Sequence, residues 1–186
     1  MTNFPKNEEA HPAPPLLGFA AFSGTGKTTL LCRLIPLLKQ RHLKIGLIKH
    51  AHHKFDIDRP GKDSYQLRQA GASPVMVVST KLRAIVYDLQ NEAPENLETP
   101  RLAEQLHYLN TQDLDLILVE GFKREPFPKI ELHRPSLNQP LLFPNDPDII
   151  AVATDTPLAC SCPLPVLNLN QPEQIADFIR HDFLSR

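Results

Sequence analysis

Short apolar runs and helical stripes take turns along this chain. LLGFAAF (Leu16–Phe22) and LDLILVEG (Leu114–Gly121) are nearly continuous apolar runs of strand length, and they predict buried strands. TTLLCRLIPLLKQRH (Thr28–His42) places Leu30, Leu31, Leu34, Ile35, Leu37 and Leu38 on one helical stripe. Its last turn is basic, which suits the helix dipole. Pro36 falls inside the stripe and is expected to kink the helix or end a first segment. KIGLIKH (Lys44–His50) predicts a second strand, and GKDSYQLRQAG (Gly61–Gly71) a short helix stopped by Gly71. SPVMVVS and LRAIVYDL are strands joined only through Thr80–Lys81. That link is too short for a parallel crossover, so an antiparallel hairpin is expected. RLAEQLHYL is helical, KIELHR, DIIAVATD (Asp148–Asp155) and VLNLN are strands, and PEQIADFIRHDFL opens a last helix at Pro172. Strands alternating with helices predict a three-layer α/β fold. Its central sheet is mainly parallel with some antiparallel strands, and right-handed crossovers set helices on both faces.

Composition narrows the class. The 186 residues suit one domain, expected over 16–186, behind a polar, Pro-rich, disordered leader over 1–15. Apolar residues make up 41% and charged residues 22%, and the net charge is −1, so no global field draws the protein to nucleic acid or anionic membrane. No apolar run is long enough to span a bilayer, and the N-terminus lacks a signal-peptide core, so a cytoplasmic protein is expected. The three cysteines do not make a disulfide framework. Cys160 and Cys162 form a C-x-C without a second thiol pair, and small residues near a turn are the simpler reading. The 19 prolines concentrate in HRPSLNQPLLFPNDPD (His133–Asp148), expected to be an extended loop. QNEAPENLETP (Gln90–Pro100) is expected to be solvated.

The chemistry begins at AFSGTGKTTL (Ala21–Leu30), where a buried strand meets a small-residue loop and a helix start. Gly24 and Gly26 let backbone N–H groups crowd around phosphate oxygens, and the helix N-terminus adds its positive end. Ser23, Thr25 and Thr29 complete the loop, Lys27 can reach the β and γ oxygens, and Thr28 can offer its hydroxyl to Mg²⁺. Ala21 stands where the usual pattern has Gly, which is harmless if the residue stays extended. Glu120 closes LILVEG and should sit at the carboxyl end of its strand, the edge where α/β proteins bind ligands and where a Mg²⁺ partner is needed. Asp115, at the start of that strand, is expected at the surface.

KHAHHKFDIDRPGKDS (Lys49–Ser64) follows the second strand and should emerge at the same edge. Its His50, His52, Asp58, Lys62 and Asp63 are compatible with an anion pocket or nucleotide switch, with a solvated loop, or with a transition-metal site. Lys123, Arg124 and Lys129 are weaker phosphate candidates. Asp155, at another strand end, can accept the N1 and N2 protons of guanine.

FSGTGKTTLLCRLIPLL, GLIKHAHHKFDIDRPGKDSYQLRQAGA and LDLILVEGFKREPFPKIEL together resemble the molybdopterin-guanine dinucleotide biosynthesis adapter family, the MobB type, from Leu16 to Leu132 and more faintly to AVATDTPL. The resemblance implies a P-loop GTP-binding homodimer with at most slow GTP hydrolysis. Such a protein assists a guanylyltransferase that joins GMP to molybdopterin. By motif match, Gly24–Thr29 would hold GTP phosphates, Thr28 and Glu120 would hold Mg²⁺, and His50–Asp63 would form a second polar pocket, for which a molybdopterin-type ligand is one candidate. The alternatives are a P-loop small-molecule kinase or nucleotide-dependent ligase, and a regulatory nucleotide-binding subunit. A kinase should carry an Arg-rich lid, whereas the segment from Arg134 to Pro147 has one Arg at its edge. No residue here stands out as a general base or arginine finger, in keeping with slow turnover.

Overall fold

The computed structural model describes residues 13–51, 55–89 and 100–185. The chain forms two compact units, Met1–His50 with Arg101–Arg186, and Ala51–Pro100. In chain order the elements are β1 (Leu16–Ala20), α1 (Lys27–Gln40), β2 (Ile45–Lys49), α2 (Asp63–Gln69), β3 (Val75–Val78), β4 (Arg83–Val86), α3 (Leu102–Leu106), β5 (Leu116–Glu120), β6 (Lys129–His133), β7 (Ile149–Thr154), β8 (Val166–Asn168) and α4 (Pro172–Phe178). A π-helical turn, Ile179–Phe183, follows α4. The stretch Gln90–Thr99 and His52, His53 and Lys54 lie outside the described residues.

The larger unit is built on a six-stranded sheet of order β2-β5-β1-β6-β7-β8. Every pairing in it is parallel. The antiparallel strands expected from the sequence, β3 and β4, form a separate two-stranded sheet in the smaller unit. The chain leaves β1 toward β2 and leaves β6 toward β7, so these adjacent strands send their connections in opposite directions. Right-handed crossovers then demand that the two connections lie on opposite faces.

The core follows that division. On one face, Leu17, Phe19, Leu118, Ile130 and Leu132 pack with Leu30, Leu34 and Leu38 of α1 and Ile175 and Phe178 of α4. On the other face, Ile117 and Val119 pack with Leu102 of α3 and with Phe122 and Phe127. Pro36 does not end α1, which runs unbroken to Gln40. Proline removes one bond, to the carbonyl of Cys32, and both residues are exposed, so water can take that carbonyl.

Over β6 the second face is covered by the Pro-rich segment rather than an α-helix. The segment contains two 3-10 turns, Pro135–Leu137 and Phe143–Asn145. Because side chains alternate along a strand, Lys129 and Glu131 turn away from the face that takes Ile130 and Leu132. Both are buried, at 2% and 1% exposure. The Glu131 carboxylate accepts the amides of Leu142 (2.8 Å) and Phe143 (2.9 Å). The Lys129 ammonium pairs with Asp146 (3.2 Å) and Asp148 (3.3 Å) and sits over the Phe127 ring. The segment is therefore tied to the strand beneath it by charge-assisted hydrogen bonds.

In the smaller unit, α2 ends as the sequence predicts. Gly71 N–H donates to the Arg68 carbonyl and Ala72 N–H to that of Leu67, a Schellman closure. The β3–β4 turn is held by the Ser79 hydroxyl, which accepts the amides of Lys81 and Leu82. None of the described residues in this unit is buried. The half-buried Arg68 pairs with Asp56 (2.9 Å) and Asp88 (3.5 Å) and lies over the Tyr65 ring.

Glu131→Ala leaves two half-buried amides without their acceptor and is expected to destabilise the larger unit by about 2–4 kcal/mol, read from urea unfolding midpoints.

Candidate functional site

The loop between β1 and α1 leaves the sheet at a central strand, where the connection directions reverse. Such a point opens a crevice at the carboxyl ends of the strands. Gly24 and Gly26 have φ of 81° and 98°, left-handed values that a side chain resists, so glycine is required by the turn itself. Gly26 is the residue before α1, and its carbonyl accepts the first helical bond, from Leu30. The amides of the first turn, Lys27 to Thr29, have no acceptor within the helix. Ser23, Thr28 and Thr29 are exposed. Thr25 is buried, and its hydroxyl donates to the Phe22 carbonyl at 2.8 Å, so its side chain braces the loop. Ala21 is fully buried and its methyl belongs to the core, which accounts for a side chain at that place. Its carbonyl accepts the Lys27 ammonium at 3.2 Å.

Glu120 ends β5, the strand beside β1, and aligns with Phe19 on one side and Lys49 on the other. Its carboxylate accepts from the Lys49 ammonium at 3.2 Å. Lys27 titrates below its ordinary 10.5, first through burial and then through the neighbouring Lys123 ammonium; Glu120 pulls the other way, and Lys49 lowers it further. Lys27 thus feels two other lysines and one carboxylate at this edge, an excess of positive charge suited to a polyphosphate. A hydroxyl at Thr28 and a carboxylate at Glu120 are hard oxygen donors of the kind Mg²⁺ takes. No three His, Cys, Asp or Glu side chains among the described residues gather as a metal site. Two such donors would leave a cation to complete its shell with phosphate oxygens and water.

The turn after Glu120 is strained. Gly121 has φ of 100°, and a β-carbon there would lie 2.7 Å from that of His50. Phe122 follows at φ 50°, left-handed for a bulky residue, yet it is buried and its ring stacks on His50 at 4.9 Å. The His50 amide donates to the Glu120 carbonyl at 2.8 Å. His50 thus packs against the turn that carries Glu120.

The other residues of the His/Asp loop belong to the smaller unit. Asp58 shapes a turn there: its amide donates to Asp56, and its carboxylate accepts from the Arg59 amide and the Ser64 hydroxyl. Lys62 precedes α2 and Asp63 begins it. His52 lies outside the described residues. Lys129 is engaged by its two aspartates. Asp115 is exposed and caps the amide of Lys44 at 2.7 Å.

Asp155 follows β7 and lines a pocket of about 350 Å³ together with Thr154, Thr156, Val166, Asn168 and Gln174. One of its oxygens, Oδ2, accepts from Arg134 at 2.5 Å. The other, Oδ1, is buried without a hydrogen-bond partner. Arg134 also donates from Nε to the Thr25 carbonyl at 2.9 Å. The sequence reading treats Arg134 only as the edge of a lid. Its position just past a strand on the ligand-binding edge is the signal that could have found it.

A glycine loop on a central strand of a parallel sheet, with a lysine at its helix start and an acid on the neighbouring strand, defines a phosphate-loop α/β protein. A family model described as molybdopterin guanine dinucleotide synthesis protein B, MobB, matches residues 16–155, and the chain belongs to that family. It is 48% identical over 166 residues to the molybdopterin-guanine dinucleotide biosynthesis adapter protein of Escherichia coli (strain K12), covering 89% of this chain and 91% of that one. The protein of the same description from Haemophilus influenzae is 45% identical over 168 residues, 90% of this chain and 88% of its own. The crystal structure of Bacillus subtilis MobB superposes with a TM-score of 0.64 at 26% identity, covering 89% of this chain and 96% of that one. A crystal structure of molybdopterin-guanine biosynthesis protein B gives 0.66 at 23% identity, over 92% and 99%, a likeness of fold.

Removing the Lys123 charge (Lys123→Met) is expected to raise the Lys27 titration toward 10.5, and Glu120→Gln to lower it further; NMR titration of labelled lysine side chains reads both shifts.

Proposed function

We propose that this chain is a GTP-binding adapter in molybdopterin-guanine dinucleotide biosynthesis, assisting a partner guanylyltransferase. The adapter role is supported by the curated relatives named for it, which align over about nine-tenths of both chains. GTP is supported by one arrangement above all. The phosphate loop and a pocket lined by Asp155 lie on the same sheet edge, on either side of Arg134. In this reading the amides of Gly24–Thr29 and the Lys27 ammonium bind the phosphates. Asp155 takes the N–H donors of guanine, where adenine offers an acceptor instead. Thr28 and Glu120 hold Mg²⁺, which when bound offsets phosphate charge.

The alternative of a kinase with a mobile lid is not favoured. The candidate lid segment is fastened at Arg134, at Leu142 and Phe143, and at Asp146 and Asp148. Slow hydrolysis at most is in keeping with that. We also infer a homodimer. The β3–β4 hairpin exposes Met76, Val78 and Ile85, and a two-stranded sheet with no buried side needs a cover. The cover we propose is a second copy of the chain.

Titration calorimetry with GTP, ATP and XTP tests the nucleotide reading. Wild type is expected to prefer GTP, and Lys27→Ala to lose all three. Asp155→Asn should move preference toward XTP, because its amide donates to the xanthine C2 carbonyl. Equal affinity of wild type for GTP and ATP would sink the guanine assignment. Val78→Lys with Ile85→Lys is expected to convert a dimer to a monomer by light scattering; a wild type that is monomeric at high concentration overturns the dimer.

A further inference from the structure

We propose that Arg134 is a positioning residue that couples base selection to the shape of the phosphate loop. The inference rests on the GTP reading above and deepens it.

Strand β6 lies between β1 and β7 in the sheet. Arg134 is the first residue past β6, so its side chain can reach the loops that follow both neighbours, and it does. Nε–H donates to the Thr25 carbonyl in the phosphate loop, and Nη1–H to Oδ2 of Asp155. Its remaining terminal nitrogen, Nη2, lies 4.0 Å from where a β-carbon on Gly26 would be, so the guanidinium is laid along the loop. A guanidinium is planar and its donors diverge at fixed angles. Two acceptors held by one such fork keep a fixed separation and a fixed mutual orientation. Thr25 is itself pinned by its hydroxyl bond to Phe22, so the carbonyl at one end of the fork is not free to drift.

The consequence falls on Asp155. With Oδ2 bound to Arg134, the carboxylate cannot spin to share its oxygens among donors. Oδ1 is left buried and without a partner. A buried carboxylate oxygen with no donor is costly, and Arg68 Nε is the other such atom among the described residues. Asp155 lines the pocket described above, of a size to admit a nucleobase. The carboxylate that lines the pocket is therefore held in place by a contact made to the phosphate loop. A displacement of that loop would move Arg134 and turn Asp155 with it, so base recognition is strongest when the loop holds the shape that grips phosphates.

The test compares wild type, R134Q and R134K for binding of GTP, ATP and inorganic tripolyphosphate, each with Mg²⁺, and records thermal melting of each variant. Gln keeps polarity but lacks the charge and the fork; Lys keeps the charge but cannot hold both acceptors at the same angles. R134Q is expected to shrink the ratio of ATP to GTP dissociation constants about tenfold or more, the scale of one lost hydrogen bond to a charged group. R134K should give an intermediate loss, and tripolyphosphate affinity should fall less than GTP affinity. A variant that keeps the full wild-type ratio overturns the proposal. So does one that weakens all three ligands by the same factor, since Arg134 would then only brace the loop. If melting shows R134Q unfolded, the R134K ratios decide by the same criteria. A wild type without preference for GTP overturns the nucleotide reading and this proposal together; a wild type with the preference, unaltered in the variants, overturns this proposal alone.

Discussion

All six strands of the main sheet run the same way, and the rest of the larger unit follows from that constraint. Each parallel connection must climb back over a face of the sheet, so both faces are covered and every strand delivers its next loop to one edge. Because the connections that leave the adjacent strands β1 and β6 run in opposite senses, their loops part at that edge instead of crossing it. The phosphate loop, the turn after Glu120, Arg134 and Asp155 all stand on the edge so defined. None had to be brought there by a long excursion of the chain; each is the first or second step beyond the end of a strand, or the loop that follows it.

How far this could be read from the sequence depends on how local the signal is. The phosphate loop is contiguous, with a strand, two glycines, a lysine and a helix in one run, and each reinforces the others. Glu120 is legible for a similar reason, as a carboxylate ending an unbroken apolar strand. Arg134 is not, since its partners lie 109 and 21 residues away and periodicity does not say which strands become neighbours. KIELHR alternates in a way that ordinarily sets Lys129 and Glu131 toward water. They are buried because a proline-rich segment supplies aspartates and free amides in place of solvent. Proline explains why that substitution works: it makes a helix costly there while leaving neighbouring amides available to a carboxylate. The hairpin was legible as a hairpin, but its apolar residues gave no hint that they would stay exposed within one chain.

The strain around Glu120 has a physical rationale in the same edge. Gly121 and Phe122 both adopt left-handed backbone, and His50 is pressed against them. Positions of this kind persist when surrounding packing over-determines them. Here the burial of Phe122 in the second core supplies that packing. The carboxylate is thereby fixed close to Lys49 and within the electrostatic reach of Lys27, although it sits at a strand end where backbone usually begins to fray.

The pairing of Lys49 with Glu120 also orders the birth of the protein. The two residues are 71 positions apart, and closing a loop of that length costs about 4 kcal/mol of chain entropy. During synthesis the phosphate loop leaves the ribosome 109 residues ahead of Arg134. Lys27 therefore emerges without the carboxylate that balances it, and the apolar helix that follows without most of the sheet it covers. The nascent N-terminal third is a set of elements waiting for partners, and the sheet can close only after β5 has been made. Cooperative folding of the larger unit thus waits for β5, and the loop gains its bond from Arg134 only after β6 has followed.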